Sequence, residues 1–302
     1  MSLALIFSGQ GMQHAGMLPW LARDDSVCAV ADALGSDWRA RLADPHWAGR
    51  NAHAQPLLVG LACAAWSQLA AHLPTPAVVA GYSVGELAAF AAAGVYGPAT
   101  AIDLALRRAA LMDREAGDAE AGLLAISGLA GPALEQLCGA AGLAIAIRNG
   151  LDSAVVGGPR VALAAATDTA LRLGARCTPL INVNVASHTP WMAEAANGFA
   201  RAISTLSFAA PRMTLLSNFS GGRVDQAQAH EALAAQIDHT VRWDECMEAI
   251  AARRVSCVLE IGPGQALARI WNERFAHVPA RSADEFRSVA GIAAWVTRTI
   301  AP

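Results

Sequence analysis

Gly81-Tyr82-Ser83-Val84-Gly85 follows a short β-like run, Ala77 to Ala80, and opens a run of small helix-forming residues from Val84 to Ala93. A strand that enters a GxSxG turn and leaves as a helix constrains this chain more than any other feature. The glycines permit a sharp turn that exposes the serine oxygen. The helix start aims free N–H groups and a positive dipole end at an oxyanion forming there. Read blandly, the same residues are a glycine-rich turn in which Ser83 caps a helix.

The surrounding pattern places that turn in an α/β chain. Leu3 to Ser8 is an apolar run ending in Gly9-Gln10-Gly11, as expected of a buried strand entering a tight loop. Pro56 to His72 reads as a buried helix and Ala99 to Ala116 as another, with Gly94 stopping the helix between them. The middle of the chain predicts strand, helix and strand over Leu123 to Ser127, Pro132 to Ala141 and Leu143 to Ile147. The same set follows over Ser153 to Val156, Val161 to Leu173 and Arg176 to Ile181. This βαββαβ order is that of a ferredoxin-like split unit, placed at 122–182 as an insertion into a larger α/β domain. Beyond it the pattern predicts helices at Pro190 to Leu206, Gln226 to Ile237, Trp243 to Arg253 and Asp284 to Thr299. Strands are predicted at Arg212 to Ser217 and at Val255 to Ile261, the latter running into Gly262-Pro263-Gly264 and a further helix. Strands alternating with helices imply a mostly parallel sheet.

Composition removes several function classes. The basic residues number 22, all arginine, against 25 acidic ones, so no charge footprint for nucleic acid exists and lysine Schiff-base chemistry is excluded. Cys28, Cys63, Cys138, Cys177, Cys246 and Cys257 show no CxxC pair or repeated spacing, so neither zinc nor a disulfide framework is suggested. The most apolar stretch, Leu57 to Ala71, contains Gly60, Ser67 and Gln68 and reads as a buried helix rather than a membrane span. Met1 to Gln10 has no basic residue before its apolar run, which argues against a secretory signal and for a cytoplasmic protein.

A serine hydroxyl at neutral pH needs a base, and histidine is the usual one. Of eight histidines, His188 stands in Asn182-Val183-Asn184-Val185-Ala186-Ser187-His188-Thr189-Pro190, a loop between a predicted strand and helix. His14, beside the Gly9-Gln10-Gly11 loop, competes with it.

Five elements in order carry a resemblance: Gly9-Gln10-Gly11-Met12-Gln13, Gly81-Tyr82-Ser83-Val84-Gly85-Glu86, Arg108, Val185-Ala186-Ser187-His188 and Glu260-Ile261-Gly262-Pro263-Gly264. Together they resemble the signatures of malonyl-CoA:acyl-carrier-protein transacylases over nearly the whole chain. The resemblance implies an α/β-hydrolase-like large subdomain, 1–121 and 183–302, with a ferredoxin-like small subdomain at 122–182. It implies Ser83 as the acylated nucleophile and His188 as its base, acting as a dyad with no triad aspartate. The backbone N–H groups of Gln10 and Val84 form the oxyanion hole in this reading. Arg108 pairs with the free carboxylate of malonyl, the alternative being a solvated helix arginine beside Arg107. Asn149 resembles a family asparagine near the substrate, and Gly262-Pro263-Gly264 shapes the fold. Tyr82 departs from the histidine of many relatives, and Arg242 falls at a variable position.

The donor so implied is malonyl-CoA and the acceptor a phosphopantetheine-type thiol on an acyl-carrier protein, with no metal or redox cofactor bound and no nucleic acid or membrane partner. The Gly-Tyr-Ser-Val-Gly-Glu-Leu-Ala-Ala wording resembles most the epsilon subunit of malonate decarboxylase, which points to that complex's carrier subunit. The alternatives are a fatty-acid or polyketide transacylase acting in trans, a serine thioesterase or esterase, and a non-catalytic subunit that docks the carrier.

Overall fold

Leu3–Phe7 (β1) is buried at all five positions, with Leu3, Leu5 and Phe7 packed into one core and Ala4 and Ile6 into a second. A strand apolar on both faces belongs inside a sheet covered on both sides. The computed structural model that shows this describes residues 2–117, 120–180 and 185–301. After β1 come Asp25–Leu34 (α1), Trp38–Arg41 (α2), Pro45–Gly49 (α3), Asn51–Leu69 (α4), Val78–Gly81 (β2), Gly85–Ala92 (α5) and Pro98–Ala116 (α6). Next are Ala121–Ser127 (β3), Gly131–Ala141 (α7), Ala144–Arg148 (β4), Ser153–Pro159 (β5), Arg160–Arg172 (α8) and Arg176–Pro179 (β6). Ala193–Ile203 (α9), Thr214–Leu215 (β7), Ala229–Ala235 (α10), Val241–Arg242 (β8) and Trp243–Ala251 (α11) follow. Cys257–Ile261 (β9), Ala266–Arg274 (α12), Ala280–Ser282 (β10) and Val289–Ile300 (α13) complete the order.

The chain has an α/β fold with a parallel-sheet core. One sheet runs β10-β9-β1-β2-β7 with every pairing parallel. A second sheet runs β6-β3-β5-β4-β8; the pairings among its first four strands are antiparallel, and β8 joins β4 in parallel. β8 belongs to the later part of the chain, so a strand outside 122–182 extends the second sheet and ties it to the parallel one.

α4 is long and apolar enough to reach across a bilayer, but it lies mostly inside the protein, packed by α1, α5 and α6. The structure adds α1, α2, α3, β8 and β10 to the elements expected from the sequence. α1 starts where the Asp24 carboxylate accepts the Val27 N–H, and α3 where the Asp44 side chain accepts the His46 N–H ahead of Pro45. The helix expected over Pro190 to Leu206 is a 3-10 turn, Pro190–Met192, followed by α9. The last helix begins at Val289, where the Ser288 hydroxyl accepts the Gly291 N–H; the expected start at Asp284 is a separate 3-10 turn. Ile181, the expected end of the sixth strand, lies outside the described residues, as do Asn182 to Asn184 of the His188 loop.

Candidate active site

The site forms where β2 ends. Ser83 adopts φ +55°, a left-handed conformation that costs a non-glycine residue about 1–3 kcal/mol and persists only when its surroundings enforce it. They do so by close packing. A Cβ on Gly85 would lie 2.6 Å from the Ser8 carbonyl oxygen and closer still to that of Phe7, and one on Gly81 would run into the Gly85 and Glu86 backbone. The two glycines of the motif are therefore contact requirements, which lets the turn press against β1 and points the Ser83 side chain outward.

His188 meets it from the loop before the Pro190–Met192 turn. The Ser83 Oγ and His188 Nε2 lie 2.8 Å apart. His188 Nδ1 is 2.5 Å from the Gln236 carbonyl oxygen, to which it can only donate, so the Nε2 lone pair faces the serine. The His188 N–H donates to the Ile237 carbonyl at 2.8 Å, holding the residue at φ +64°. Burial, with Arg108 nearby, pushes the imidazole pKa down to about 3, against which the Gln236 hydrogen bond works. At neutral pH the ring is an uncharged acceptor, oriented by backbone carbonyls. This arrangement can take a proton from a serine hydroxyl as that oxygen attacks a carbonyl carbon.

Gln10 follows β1, beside β2 in the sheet. Its side chain donates to the Gly49 carbonyl at 3.0 Å. The backbone N–H groups of Gln10 and Val84 have no hydrogen-bond partner among the described residues. Gln10 lines the same cavity as Ser83, and Val84 stands at the start of α5, where unpaired donors and the helix dipole favour negative charge.

Arg108 lies on the inner face of α6, 1% exposed. Its Nη1 donates to Gln55 Oε1 at 2.8 Å and its Nη2 to Gln236 Oε1 at 3.3 Å, while the Nε–H and the Gln236 Nε2 have no partner among the described residues. No carboxylate among the described residues lies within ion-pair distance of the guanidinium, and Glu86 acts on it only through space. Burial depresses its pKa to about 10. Arg107, its neighbour, faces solvent and pairs with Asp103 at 2.8 Å, so the two arginines divide into an outer and an inner one.

These groups share one cavity of ≈ 120 Å³, lined among others by Gln10, Gln55, Ser83, Arg108, Met112 and His188, with Leu123, Ile147 and Leu180 contributed by the second sheet side. Asn149 is not on its wall; it accepts the Tyr82 hydroxyl at 3.1 Å from behind. Arg242 is half-exposed, 3.6 Å from Glu245. His14 is bound to Asp284 at 2.8 Å on the outside of the Gln10 loop, leaving His188 as the histidine at the serine. No cluster of three or more His, Cys, Asp or Glu placed to hold a metal occurs among the described residues.

Sequence reasoning missed Gln55, Gln236 and Asn218, which hold the site from α4, from the end of α10 and from the turn after β7. Nothing in their local sequence marks them, since an amide acts here only through partners far along the chain.

Against known proteins, the model of the family described as acyl transferase domain matches residues 4–290. A malonyl CoA-acyl carrier protein transacylase of Mycobacterium bovis is 35% identical over 294 residues, 93% of this chain and 95% of that protein. An acyl-carrier-protein S-malonyltransferase crystal structure from Burkholderia pseudomallei superposes with TM-score 0.89 at 28% identity, covering 97% of this chain and 100% of that one. A malonyl-transacylase in complex with its type II polyketide acyl-carrier protein matches with TM-score 0.91 at 27% identity, covering 97% and 99%.

Proposed function

The chain belongs to the acyl transferase domain family and is an acyltransferase, and from that premise we propose that it moves a malonyl group from malonyl-CoA to the thiol of an acyl-carrier protein by way of Ser83. One observation carries the choice of acyl group. A buried guanidinium with an unpartnered N–H and no carboxylate partner among the described residues shares a small cavity with a serine hydrogen-bonded to a neutral histidine. An acyl group ending in its own carboxylate supplies the missing anion.

In this reading the Ser83 Oγ attacks the thioester carbon while its proton passes to His188 Nε2. The oxyanion lies between the N–H groups of Gln10 and Val84. Collapse breaks the carbon–sulfur bond, and the departing coenzyme A thiolate takes the proton from His188. The carrier thiol then gives its proton to His188 and attacks the ester, and the proton returns to Ser83. No cofactor takes part, and substrate and product are both thioesters. We read β3 to β6 as a ferredoxin-like insertion, 122–182, set into the large subdomain of 1–121 and 183–302, with Asn149 buttressing Tyr82 from behind. The reading places the enzyme in the cytoplasm.

We take a carrier of fatty-acid or polyketide synthesis as the acceptor, which the relatives support in being transacylases of an acyl-carrier protein, one of them bound to a type II polyketide carrier. The Gly81 to Ala89 wording favours a second reading, the carrier subunit of malonate decarboxylase. Incubation with malonyl-CoA tests the shared core. Malonyl is expected on Ser83 and is expected to leave to a carrier thiol much faster than to water; rapid release of free malonate without a carrier refutes the transferase reading. Offering both carriers in competition separates the two acceptors.

A further inference from the structure

β2 and β7 pair in parallel through Val78 with Thr214 and Val79 with Leu215, and the Leu216 N–H donates to the Val79 carbonyl at 3.0 Å. Backbone pairing then stops as the chain turns away. At that point the Asn218 side chain takes its place. Its Nδ2 donates to the Gly81 carbonyl at 2.5 Å and its Oδ1 accepts the Ser83 N–H at 2.7 Å. A residue in a parallel ladder makes this pair of bonds, donating to one side of its neighbour and accepting from the other. The primary amide reproduces it around Tyr82, where no strand is left to do so. Asn218 is itself fixed, being fully buried, with its N–H on Glu86 Oε1 at 2.6 Å and its carbonyl accepting the Arg242 N–H at 2.9 Å.

We propose that Asn218 is a positioning residue for acyl transfer: its amide extends the β2–β7 ladder across the elbow, holds Ser83 in its left-handed conformation and keeps the Ser83 Oγ on His188. By occupying the Ser83 N–H it also leaves the Val84 N–H as the donor at the helix start. The inference rests on Ser83 being the acylated nucleophile.

The amide is asymmetric, needing a donor toward Gly81 and an acceptor toward Ser83, and this gives the test its sign. In Asn218→Asp the carboxylate still accepts from Ser83 but turns a lone pair on the Gly81 carbonyl. Protonation restores the donor. The groups around that position are Glu86 on α5, whose carboxyl burial pushes up to about 8, and Cys246 on α11 and Tyr82 on the elbow, both raised. Arg242 lies on β8, His239 is edge-on to Phe219, and Arg108 acts through Glu86. His188, held down to about 3, stays neutral through mildly acid pH, so it does not mask the acid limb.

Single-turnover acylation of Ser83 by malonyl-CoA is followed by intact mass in the full-length wild type and both variants. Asn218→Ala is expected to acylate roughly 10- to 100-fold more slowly with KM within about threefold, the signature of a misplaced nucleophile. Asn218→Asp is expected to be comparably slow near about pH 8 and to recover relative to wild type by roughly tenfold toward about pH 5.5, as the buried carboxyl takes up a proton. Wild-type rates in Asn218→Ala, or a variant-to-wild-type ratio for Asn218→Asp that is flat with pH, overturn the proposal. If Asn218→Ala does not fold, the Asn218→Asp ratio decides alone. A wild type that never acylates Ser83 overturns the functional reading and this inference with it, and is told apart because the defect precedes any substitution.

Discussion

Replacing Arg108 by alanine removes a cation that the fold holds at a cost, and the structure says how much substrate binding should suffer. A buried guanidinium whose pKa is depressed to about 10 is a charge kept at an expense on the order of 3 kcal/mol in the empty site. Two of its five N–H donors are taken by Gln55 and Gln236, and the Nε–H has no partner among the described residues. A malonyl carboxylate there makes charge-assisted hydrogen bonds in a water-poor cavity, and truncating such a pair costs about 2–5 kcal/mol. Arg108→Ala should therefore lower kcat/KM for malonyl-CoA by roughly 30-fold to several thousand-fold. Acetyl-CoA has no distal carboxylate. Its loss should stay within about threefold, the part arising because Gln236, whose carbonyl orients His188, loses a neighbour. The assay is kcat/KM for both thioesters with one purified carrier, on protein shown by circular dichroism to be folded. Equal losses for the two thioesters, or a malonyl loss below about tenfold, refute the pairing of Arg108 with the acyl carboxylate.

Four further outcomes follow from the same geometry. Ser83→Ala should abolish the acyl-enzyme seen by intact mass and leave carrier malonylation at background; an unchanged rate would favour a subunit that only docks the carrier. Because His188 has a pKa of about 3 when folded, Ser83 acylation should remain flat as pH falls from neutral to about 4, and a sigmoid fall centred near about 6.5, the ordinary histidine value, would contradict the burial argument. The same depression means that the unfolded chain binds a proton that the folded one refuses between these values. Stability should thus drop as pH falls through that window, and less so in His188→Gln, as read by thermal melts. Gly85→Ala, which drives a Cβ into the Phe7 and Ser8 carbonyls, should destabilise by about 3 kcal/mol or more, since backbone cannot move aside as a side chain can; an unchanged melting temperature would refute it.

The sequence disclosed those parts of the site whose chemistry is local. Gly81 and Gly85 are legible because each excludes a Cβ from a contact within the turn or with β1, and Ser83 because a strand, turn and helix stand in order around it. Arg108 was legible only through the resemblance, whereas the loop between a predicted strand and helix already put His188 first among the histidines. A helix arginine looks solvated until its neighbours are known, and the Arg107 beside it is. The orientation of His188 was illegible in principle: it depends on the carbonyls of Gln236 and Ile237, and any residue supplies a carbonyl. The two-residue strands β7 and β8 lack the length for a periodic signal, so β7 was drawn too long and β8 not at all. The helix starts at Asp24 and Asp44-Pro45 did carry a signal, the capping carboxylate, which the weak periodicity of short helices concealed.

The topology explains why residues so far apart in sequence share one site. In the parallel sheet β9, β1, β2 and β7 are neighbours running the same way, so the segments leaving their carboxyl ends lie side by side. Those segments carry Gly262 to Gly264, Gln10, Ser83 and Asn218 respectively, and ligands in open α/β sheets bind beyond the carboxyl ends of the strands. The close fit of the loops has a visible cost. A Cβ on Gly262 would sit 2.6 Å from Ser8, and one on Gly264 2.8 Å from Met12, so the Gly-Pro-Gly turn bears directly on the loop that carries Gln10. Asp284 fastens the same two segments together, accepting the Leu18 and Gly264 N–H groups and binding His14. Of the four non-glycine residues at positive φ among those described, Ser83 and His188 are the hydrogen-bonded pair that we propose reacts, and Leu18 follows the Gln10 loop. Strain therefore gathers where four strand ends must approach one point, and the buried Arg108 adds its desolvation there. A fold that concentrates unfavourable terms around a cavity of acyl-group size fits the proposed substrate, whose carboxylate would relieve the largest of them.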